Sequence, residues 1–440
     1  MWALHRATQE LAAVWVRHTS NGLMTVRCNG QTFTGDTIDT AVDDGCGVCT
    51  VTGLAAGQSY PFSLYVGAEL IVESILKTLP ATGSTFTLGF GSCVSYVHDQ
   101  LPLHGLLKYA PDLVGFAWLG DQIYTNEPTS GASYTNNGET ILRVESDAPL
   151  NEAGTMAQLY KHYRLYWKFP GTQSMLHTCP NWFLGDDHDH GPGNDWDWTI
   201  ANANRYVAWA STQQHVDDMG AWCNNAFRAY CKGNPDLANL YYKVAINDDC
   251  DAWFLDGIQY RDAVDGTGTT CLGATQLAFL LDGLAASTAT WKLIFCTKNL
   301  YGGADDFSKY TDERAVIDAA IAAHSGWASP GGVVWLSGDI HYPYASVTPG
   351  GLLDVCASPL GSGANSTVAD GYLSQMVYKC TGNISNGVSD ADIFQSAGFV
   401  RVDGSNKLTV GLVDPAGNVR WSTSLEPLSN EINYPQMRFG

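Results

Sequence analysis

Three short segments and one cysteine of this chain carry side chains that bind metal ions, and each of them follows an apolar run. The side chains are carboxylates, imidazoles, a phenol and a thiol. A carboxylate can bridge two cations, while a phenolate and a thiolate can hold one of these cations in a higher oxidation state. The pattern therefore predicts a metal site. The residues concerned are Cys93, Asp121, Tyr124, Asp186, Asp187, His188, Asp189, Asp339 and His341.

The elements that must position these residues are buried strands. Apolar runs at Val114–Leu119, Trp182–Leu184 and Val333–Leu336 come directly before the three segments. In an open α/β sheet, the binding site lies beyond the carboxyl ends of the strands. Each segment by itself is also compatible with a helix cap or a solvated acidic loop. Because chance would have to place such clusters after three separate strands, the sequence favours a shared metal site.

From Phe86 onwards, apolar strands alternate with helix-like stretches, which indicates a layered α/β domain. The predicted strands are Phe86–Phe90, Val114–Leu119, Trp182–Leu184, Ala252–Leu255, Lys292–Cys296 and Val333–Leu336. The predicted helices are Thr155–Tyr166, Ala201–Cys223, Gly273–Ala286 and Thr311–His324.

The residues before Phe86 have another pattern, in which short alternating segments such as Leu11–Arg17 are separated by Gly, Asn and Asp turn signals. The stretch Thr50–Tyr60 resembles the late-strand corner of a fibronectin-type sandwich. The sequence therefore predicts a small all-β sandwich over residues 1–82, a linker near Leu79–Ser84 and an α/β domain over residues 83–440.

Two further segments have a predicted role in the architecture. Thr125–Leu150 is a long polar stretch that begins at the candidate metal site, and it is either a loop that shapes the substrate site or a surface insertion. Near the C-terminus, Phe399–Val402 and Leu408–Val419 predict a closing β-hairpin.

Twelve cysteines leave the redox compartment open. Cys46 and Cys49 form a CxxC pair, for which a disulfide to Cys28 or plain buried thiols are both favoured over structural zinc. No second CxxC or histidine pair lies at the spacing of a zinc site. The other candidate local bridges join Cys223 to Cys231 and Cys250 to Cys271.

Composition limits the possible partners. The chain of 440 residues is 45% hydrophobic, has a formal charge of −21 and contains no basic run. We expect no stable nucleic-acid binding, which needs clustered Lys and Arg, and no membrane partner, because no apolar segment is long enough to span a bilayer. A small phosphoester substrate stays compatible, since bound cations can invert the local field. The acidic, Lys-poor composition favours a periplasmic or secreted protein whose leader is absent from this chain, and a cytoplasmic location stays open.

The motifs, in this order and spacing, resemble the alkaline phosphatase D (PhoD-like) branch of the binuclear metallophosphoesterases. The resemblance covers roughly residues 86–365. It implies a metallophosphoesterase-type domain behind a fibronectin-like sandwich, and a phosphoric ester hydrolase that acts on diesters, monoesters or both. The motifs that carry it are Phe90-Gly91-Ser92-Cys93, Gly120-Asp121-Gln122-Ile123-Tyr124, Asp186-Asp187-His188-Asp189 with Gly191 and Asn194-Asp195, Leu255-Asp256 with Tyr260-Arg261, Leu272-Gly273 with Gln276, and Ser337-Gly338-Asp339-Ile340-His341.

The resemblance also implies which residues hold the ions. A ferric ion would have a thiolate, a carboxylate, a phenolate and an imidazole, supplied by Cys93, Asp121, Tyr124 and His341. A second, harder ion, typically Ca²⁺, would be held by Asp121, Asp187, Asp339 and Asn194. Asp121 would bridge the two ions, Asp186 or Asp189 can take the place of Asp187, and Zn²⁺ or Mn²⁺ are the alternative metals.

The resemblance implies a catalytic role for His188, which follows Asp187 where the wider superfamily places its phosphate-facing histidine. His188 would act as general acid or transition-state stabiliser, oriented by Asp189 or Asp186, and the nucleophile would be a metal-bound hydroxide. The other possibility is that His188 only hydrogen-bonds to a neighbouring carboxylate.

The chain departs from the family pattern at three places. Ile258 stands where the family usually has Arg, His190 where it often has an aromatic residue, and an insertion near Pro192-Gly193 bears on the alignment of Asn194. His190 is either an additional acid or a packing substitute. These departures bear on substrate preference and not on the reaction class.

Two alternative functions remain at this stage. The first is a phosphotriesterase or another promiscuous phosphorus-ester hydrolase, because a neutral substrate tolerates the charge of −21 better. The second is a non-catalytic metal-binding structural protein in which the sandwich does the work. A serine hydrolase is disfavoured, since no Gly-x-Ser-x-Gly elbow follows a predicted strand.

Overall fold

The structure, a computed structural model, describes residues 1–95, 100–128, 131–144, 151–191, 212–262, 268–300, 307–323, 332–348, 351–362, 376–379 and 395–426. Asn194, one of the predicted metal ligands, lies outside these ranges, as does the first part of the helix predicted to start at Ala201.

The N-terminal residues form seven antiparallel strands in two sheets of three and four strands, with the orders β1-β2-β5 and β4-β3-β6-β7. The strands are β1 (Trp2–Ala7), β2 (Leu11–Arg17), β3 (Gly22–Cys28), β4 (Gln31–Ile38), β5 (Cys46–Thr52), β6 (Ser59–Val66) and β7 (Glu69–Lys77). Val14, Val26 and Leu64 belong to the core that the two sheets share. The predicted corner is present at Tyr60, whose hydroxyl accepts the N–H of Ala55 at 2.8 Å.

Two larger sheets follow in the chain. The six-stranded sheet has the order β12-β9-β8-β20-β21-β22, and the seven-stranded sheet has the order β13-β14-β15-β16-β18-β17-β19. Their strands are β8 (Phe86–Gly91), β9 (Gly115–Leu119), β12 (Asn181–Leu184), β20 (Ala397–Val402), β21 (Leu408–Val413) and β22 (Val419–Leu425), then β13 (Tyr242–Asn247), β14 (Cys250–Leu255), β15 (Trp291–Cys296), β16 (Val333–Ser337), β17 (Tyr344–Val347), β18 (Leu353–Cys356) and β19 (Met376–Lys379).

The two larger sheets pack face to face, and helices cover their outer faces. Phe90 of the first sheet meets Phe295 of the second at 6.1 Å between ring centroids, and Trp182 meets Phe254 at 5.8 Å. The described helices are α1 (Leu101–Tyr109), α2 (Glu152–Tyr166), α3 (Pro170–Thr178), α4 (Asp187–His190), α5 (Gln213–Tyr230), α6 (Gly273–Ala286) and α7 (Thr311–Ala323). The first five belong to the side of the six-stranded sheet, and α6 and α7 pack on the other. The predicted layered α/β class is confirmed.

The single open sheet expected from the strand ends is wrong, because those strands are divided between two stacked sheets. Buried parallel strands are apolar on both faces, so their sequences do not reveal which sheet each one joins. The separation at residue 82 stays a prediction, although the predicted linker does lie between β7 and β8.

Several local predictions change as well. The helix expected at Ala201–Cys223 is described from Gln213 to Tyr230, with the Thr212 side chain accepting the His215 N–H as its N-cap. The polar stretch at Thr125–Leu150 includes a hairpin of β10 (Ser133–Asn136) and β11 (Glu139–Leu142). The C-terminal hairpin is confirmed as β20 and β21 and continues into β22.

The eleven cysteines among the described residues are all free thiols and buried. Of the alternatives for the CxxC pair, the structure therefore has the buried thiols and not the disulfide. The candidate bridges between Cys223 and Cys231 and between Cys250 and Cys271 are not formed.

The sandwich is joined to the helical layer through Asp44. Its carboxylate accepts hydrogen bonds from Arg17 at 2.8 Å, from Arg164 of α2 at 2.8 Å and from the Tyr230 hydroxyl of α5 at 2.7 Å. The Asp44 side chain is only 12% exposed. One carboxylate therefore holds three elements, and charged hydrogen bonds of this kind contribute about 1.5–3 kcal/mol each.

We predict that Asp44→Asn lowers the free energy of unfolding by about 1–3 kcal/mol, because the half-buried Arg17 loses its carboxylate partner and Arg164, which keeps Glu139, loses one of two. Chemical denaturation at pH 7 measures this change. Asp112→Asn, at an exposed position, is the matched control and should change the free energy by less than about 0.5 kcal/mol.

The same network makes the free energy of unfolding depend on pH. Burial acts to raise the pKa of Asp44, but hydrogen bonds from Arg17 and Tyr230 and the charge of Arg164 outweigh it, so the pKa lies below the usual 3.8. A depressed folded-state pKa contributes stability that is complete above the unfolded-state pKa and is lost as the pH falls through the folded-state pKa. The difference between wild type and Asp44→Asn should shrink below about pH 4; a constant difference down to pH 2 would contradict the assignment.

Candidate metal centre

The predicted ligands meet at one place because five strands end there. In the six-stranded sheet, β8, β9 and β12 are parallel neighbours, and in the seven-stranded sheet β15 and β16 are parallel neighbours. Loops from the carboxyl ends of both groups converge between the two sheets. These loops carry Cys93, Asp121, Asp186, Lys298 and Asp339.

Four of the site residues have left-handed backbone conformations. The φ angles are 64° at Cys93, 54° at Asp121, 72° at Asp339 and 58° at His341. Each such conformation costs of the order of 1–3 kcal/mol for a residue with a side chain, and it persists only where the surroundings enforce it. The sharp turns aim these side chains back towards the gap between the sheets.

Two glycines permit the close approach of these loops. A Cβ added at Gly120, where φ is +87°, would lie 2.4 Å from the Cβ of Asp186. A Cβ added at Gly338 would lie 2.4 Å from the Ser92 hydroxyl oxygen. In both Gly-Asp pairs, the glycine therefore permits two loops to approach closely, and the aspartate that follows it is a candidate ligand.

The first cluster contains all four residues predicted for the ferric ion. The Tyr124 hydroxyl lies 3.0 Å from Asp121 Oδ2 and 3.0 Å from His341 Nε2. Cys93 Sγ lies 3.5 Å from the same Asp121 oxygen. Cys93, Asp121 and His341 offer ligand atoms within 4.8 Å of one another.

Two serines that the sequence did not single out support this cluster. The Ser358 hydroxyl donates to Cys93 Sγ at 3.1 Å, and the Ser362 hydroxyl donates to the Tyr124 oxygen at 2.8 Å. Hydrogen bonds to a thiolate and a phenolate stabilise their charged forms. The sequence offered little signal for these serines, because they come from the loop after β18 and belong to no ligand-type motif.

Two further clusters share Asp187. One consists of Asp121, Asp187 and His188, and the other of Asp186, Asp187 and Asp339, each with ligand atoms within 4.8 Å of one another. Asp121 thus belongs to the first two clusters, which is the position expected of a bridging carboxylate. The expected alternatives Asp186 and Asp187 both face the site.

His188 lies beside the first cluster, with its ring 4.3 Å from the Tyr124 ring between centroids. Asp189 has a different environment. Its two oxygens accept the backbone N–H groups of Gln122 at 3.1 Å and Asp186 at 3.0 Å. These bonds tie the loop after β9 to the loop after β12, so the shown contacts of Asp189 are structural, and its effect on His188 stays a prediction.

The electrostatics of the centre favour a cation. Burial raises the pKa of Asp121 well above its usual range, and the charges of Asp187 and Asp339 add to the rise. Burial likewise raises the pKa of Cys93 and of Tyr124, with Asp121 adding to both. A bound cation reverses these shifts, because it stabilises the anionic form of each ligand.

A lysine that the sequence analysis missed also enters the centre. Lys298 Nζ lies 3.0 Å from Asp186 Oδ1 and 3.1 Å from Asp339 Oδ2, and the lysine side chain is 2% exposed. Its position after β15 parallels that of Asp339 after β16. A search for residues at strand ends could have found it, but lysine is not a metal-ligand type.

Two of the three departures from the family pattern, His190 and Ile258, lie among the described residues. His190 is buried, its ring lies 5.2 Å from Phe227, and it packs where a Cβ at Gly185 would clash with it. These contacts favour the packing alternative. Ile258 is buried, and its N–H donates to Asp256 in a turn at 2.8 Å.

The donor set fits metal ions. Asp121 Oδ1 and Asp186 Oδ2 are buried without a hydrogen-bond partner among the described residues. Leaving a buried carboxylate oxygen without a partner is costly, and cations held in these clusters would satisfy the two oxygens. Asn194, in contrast, cannot be placed in this donor set, since it lies outside the described residues.

Comparisons with known proteins agree with this geometry. The sequence model of the family described as PhoD-like phosphatase matches residues 88–409. Among solved structures, that of PhoD is similar with a TM-score of 0.72 and 18% identity, over 96% of this chain and 88% of that chain. The purple acid phosphatase PPD1 from yellow lupin (Lupinus luteus) seeds has a TM-score of 0.64 and 12% identity, over 97% and 74% of the two chains. No curated protein matches the chain in sequence.

Removing metal ions is expected to lower the melting temperature, because an ion that binds only the folded state at 100 times its dissociation constant adds about 2.7 kcal/mol. Differential scanning calorimetry with and without a chelator measures the change. Asp121→Asn is the comparison variant, and its melting temperature should respond much less. An equal melting temperature for metal-loaded and chelated wild type would contradict the prediction.

Proposed function

The chain belongs to the PhoD-like phosphatase family, and from that premise we propose that this metal-dependent phosphoester hydrolase acts on both phosphate diesters and phosphate monoesters. The proposal rests on Asp121, which belongs to two clusters of possible ligands. One cluster contains Cys93 and His341, and the other contains Asp187 and His188. A shared carboxylate between two ligand sets is the arrangement of a two-ion hydrolase.

We assign Fe³⁺ to the first ligand set. Its thiolate, carboxylate and phenolate carry three negative charges, which match a trivalent ion better than a divalent one. The Ser358 and Ser362 hydroxyls donate to the sulfur and to the phenol oxygen, and so support the anionic forms that this ion requires.

We assign Ca²⁺ to the second ligand set, around Asp121, Asp187 and Asp339, with Asn194 as a further ligand. These are oxygen donors, which calcium prefers. When bound, two such ions neutralise the phosphoryl oxygens and lower the pKa of a water molecule. The side chains of the protein would hold these ions and orient the substrate and the water molecule.

His188 is the proposed general acid. It lies in the cluster of Asp121 and Asp187, and its ring contacts Tyr124, so it borders both ligand sets. A histidine at this place can donate a proton to the leaving alkoxide or stabilise the phosphoryl oxygens. Asp189 fixes the loop that carries His188 through its bonds to Gln122 and Asp186.

The composition of the chain favours a small phosphoester over a nucleic-acid partner. The formal charge of −21 disfavours stable binding of nucleic acid. Among the residues that the structure describes, no helix has the length and apolar character to cross a membrane. A periplasmic or secreted location remains part of the proposal, on the basis of the acidic, Lys-poor composition.

We predict that His188→Asn lowers kcat for bis(p-nitrophenyl) phosphate and p-nitrophenyl phosphate by about 10²–10⁴-fold, because the proton donor is lost. Metal content, measured on the same samples, should stay unchanged. The control is His104→Asn at an exposed position of α1. If His188→Asn keeps wild-type kcat, His188 has only a structural role; if only a triester is cleaved by wild type, the phosphotriesterase alternative replaces the proposal.

Elemental analysis by inductively coupled plasma mass spectrometry tests the metals. We expect iron near one mole per mole of wild-type chain together with calcium, and little iron in Cys93→Ala. The matched control is Cys179→Ala, which removes another buried free thiol away from the centre and should keep its iron. Zinc or manganese in place of iron would overturn the assignment of the first ion and leave the hydrolase intact.

A further inference from the structure

The ammonium group of Lys298 occupies a place where carboxylates converge. It lies 3.0 Å from Asp186 Oδ1 and 3.1 Å from Asp339 Oδ2, and these two residues form a ligand cluster with Asp187. Calcium binds oxygen ligands at about 2.3–2.6 Å. The lysine nitrogen therefore lies within the space that a cation between these carboxylates would use.

The position of Lys298 is built into the fold and is not that of a flexible surface side chain. Its backbone carbonyl accepts the indole N–H of Trp335 at 3.0 Å, and Trp335 is fully buried in β16. Its aliphatic stem runs past Gly257, where an added Cβ would lie 2.7 Å from Lys298 Cγ. A glycine thus provides the room for the stem, and the side chain is 2% exposed.

A buried ammonium group and a divalent cation on the same carboxylates repel each other. This repulsion grows as the charges approach and is screened little at a buried site, and a doubly charged ion feels it twice as strongly as a singly charged one. Asp339 is the residue in question, because it is a proposed calcium ligand and also a partner of Lys298. When the ammonium stays in place, the second ion loses part of its ligand set and gains a positive neighbour.

We propose that Lys298 competes with the second ion, Ca²⁺, for Asp339 and Asp186, so that this ion binds weakly and exchangeably while the first ion binds tightly. The inference rests on the proposed function, since it takes its two ion positions from there. The ion pairs of Lys298 with Asp186 and Asp339 lie on the side of the second ion, so the first ligand set keeps its ion in both states. Hydrolysis then depends on the free calcium concentration, because calcium must displace the ammonium group to complete the centre.

The test compares wild type with Lys298→Met, which keeps the length of the stem and removes the charge. The control is Lys292→Met, at a second buried lysine on β15 whose amine donates to the Ala289 carbonyl. Iron-loaded, calcium-free protein is titrated with calcium chloride in a calorimeter, and iron per chain is measured on the same samples. The concentration of calcium that gives half-maximal hydrolysis of bis(p-nitrophenyl) phosphate is recorded in parallel.

We expect Lys298→Met to bind calcium about ten-fold more tightly or better, equivalent to about 1.4 kcal/mol, with unchanged iron, and Lys292→Met to bind it as wild type does. Calcium affinity of Lys298→Met equal to or weaker than that of wild type, at full iron content, would overturn the inference. It would make Lys298 a structural ion-pair partner of the two loops.

A second variant protects the test against misfolding. Lys298→Gln removes the charge but keeps hydrogen-bonding capacity towards Asp186 and Asp339, and it should also bind calcium more tightly than wild type. If Lys298→Met does not fold, Lys298→Gln decides by the same criterion. Failure of the proposed function is a separate result, because absence of hydrolysis in every variant leaves the calcium affinities measurable.

Discussion

Carboxylates packed into a small volume with little water are the constraint on which the rest of this structure depends. Asp121, Asp186 and Asp187 are at most 3% exposed, and like charges repel strongly in such surroundings. Burial is the main cause that raises the pKa of Asp121 and of Asp186 well above the usual range, so the charged forms of these carboxyls are unfavourable without a cation. Ion binding is therefore linked to folding, and the buried ammonium of Lys298 belongs to the same charge balance.

The fold makes this concentration of charge possible by directing strand ends of two sheets to one gap. Left-handed turns at Cys93, Asp121, Asp339 and His341 are unfavourable for residues with side chains. They persist because the strands before them are fixed by the core between the sheets, so their loops have few alternative paths. Hydrophobic packing thus stabilises a ligand geometry that the loops would not adopt alone, and the face-to-face sheets act as the rigid support of the centre.

Sequence patterns singled out side chains that the structure does bring together, because carboxylates, imidazoles and thiols that follow apolar runs are chemically distinctive. The same logic missed Lys298, whose charge is opposite to that of a ligand, and Ser358 and Ser362, whose hydroxyls are common on any surface. The division of strands between two sheets was also hidden, since pairing is decided by contacts distant in sequence. The hairpin of β10 and β11 was read as a loop because its alternation is short and polar.

The net charge of the chain and the charges inside its centre exert their effects over different distances. A formal charge of −21 spread over the surface is screened within about 8 Å at physiological ionic strength. Inside the centre, low exposure weakens such screening, so the nearest charges dominate. Cations held beside Asp121 would create a positive field for a phosphoester there although the surface is negative. The net charge consequently governs solubility and the encounter with large polyanions, whereas the small set of buried carboxylates, and the cations that balance them, governs which substrate atoms are attracted and held.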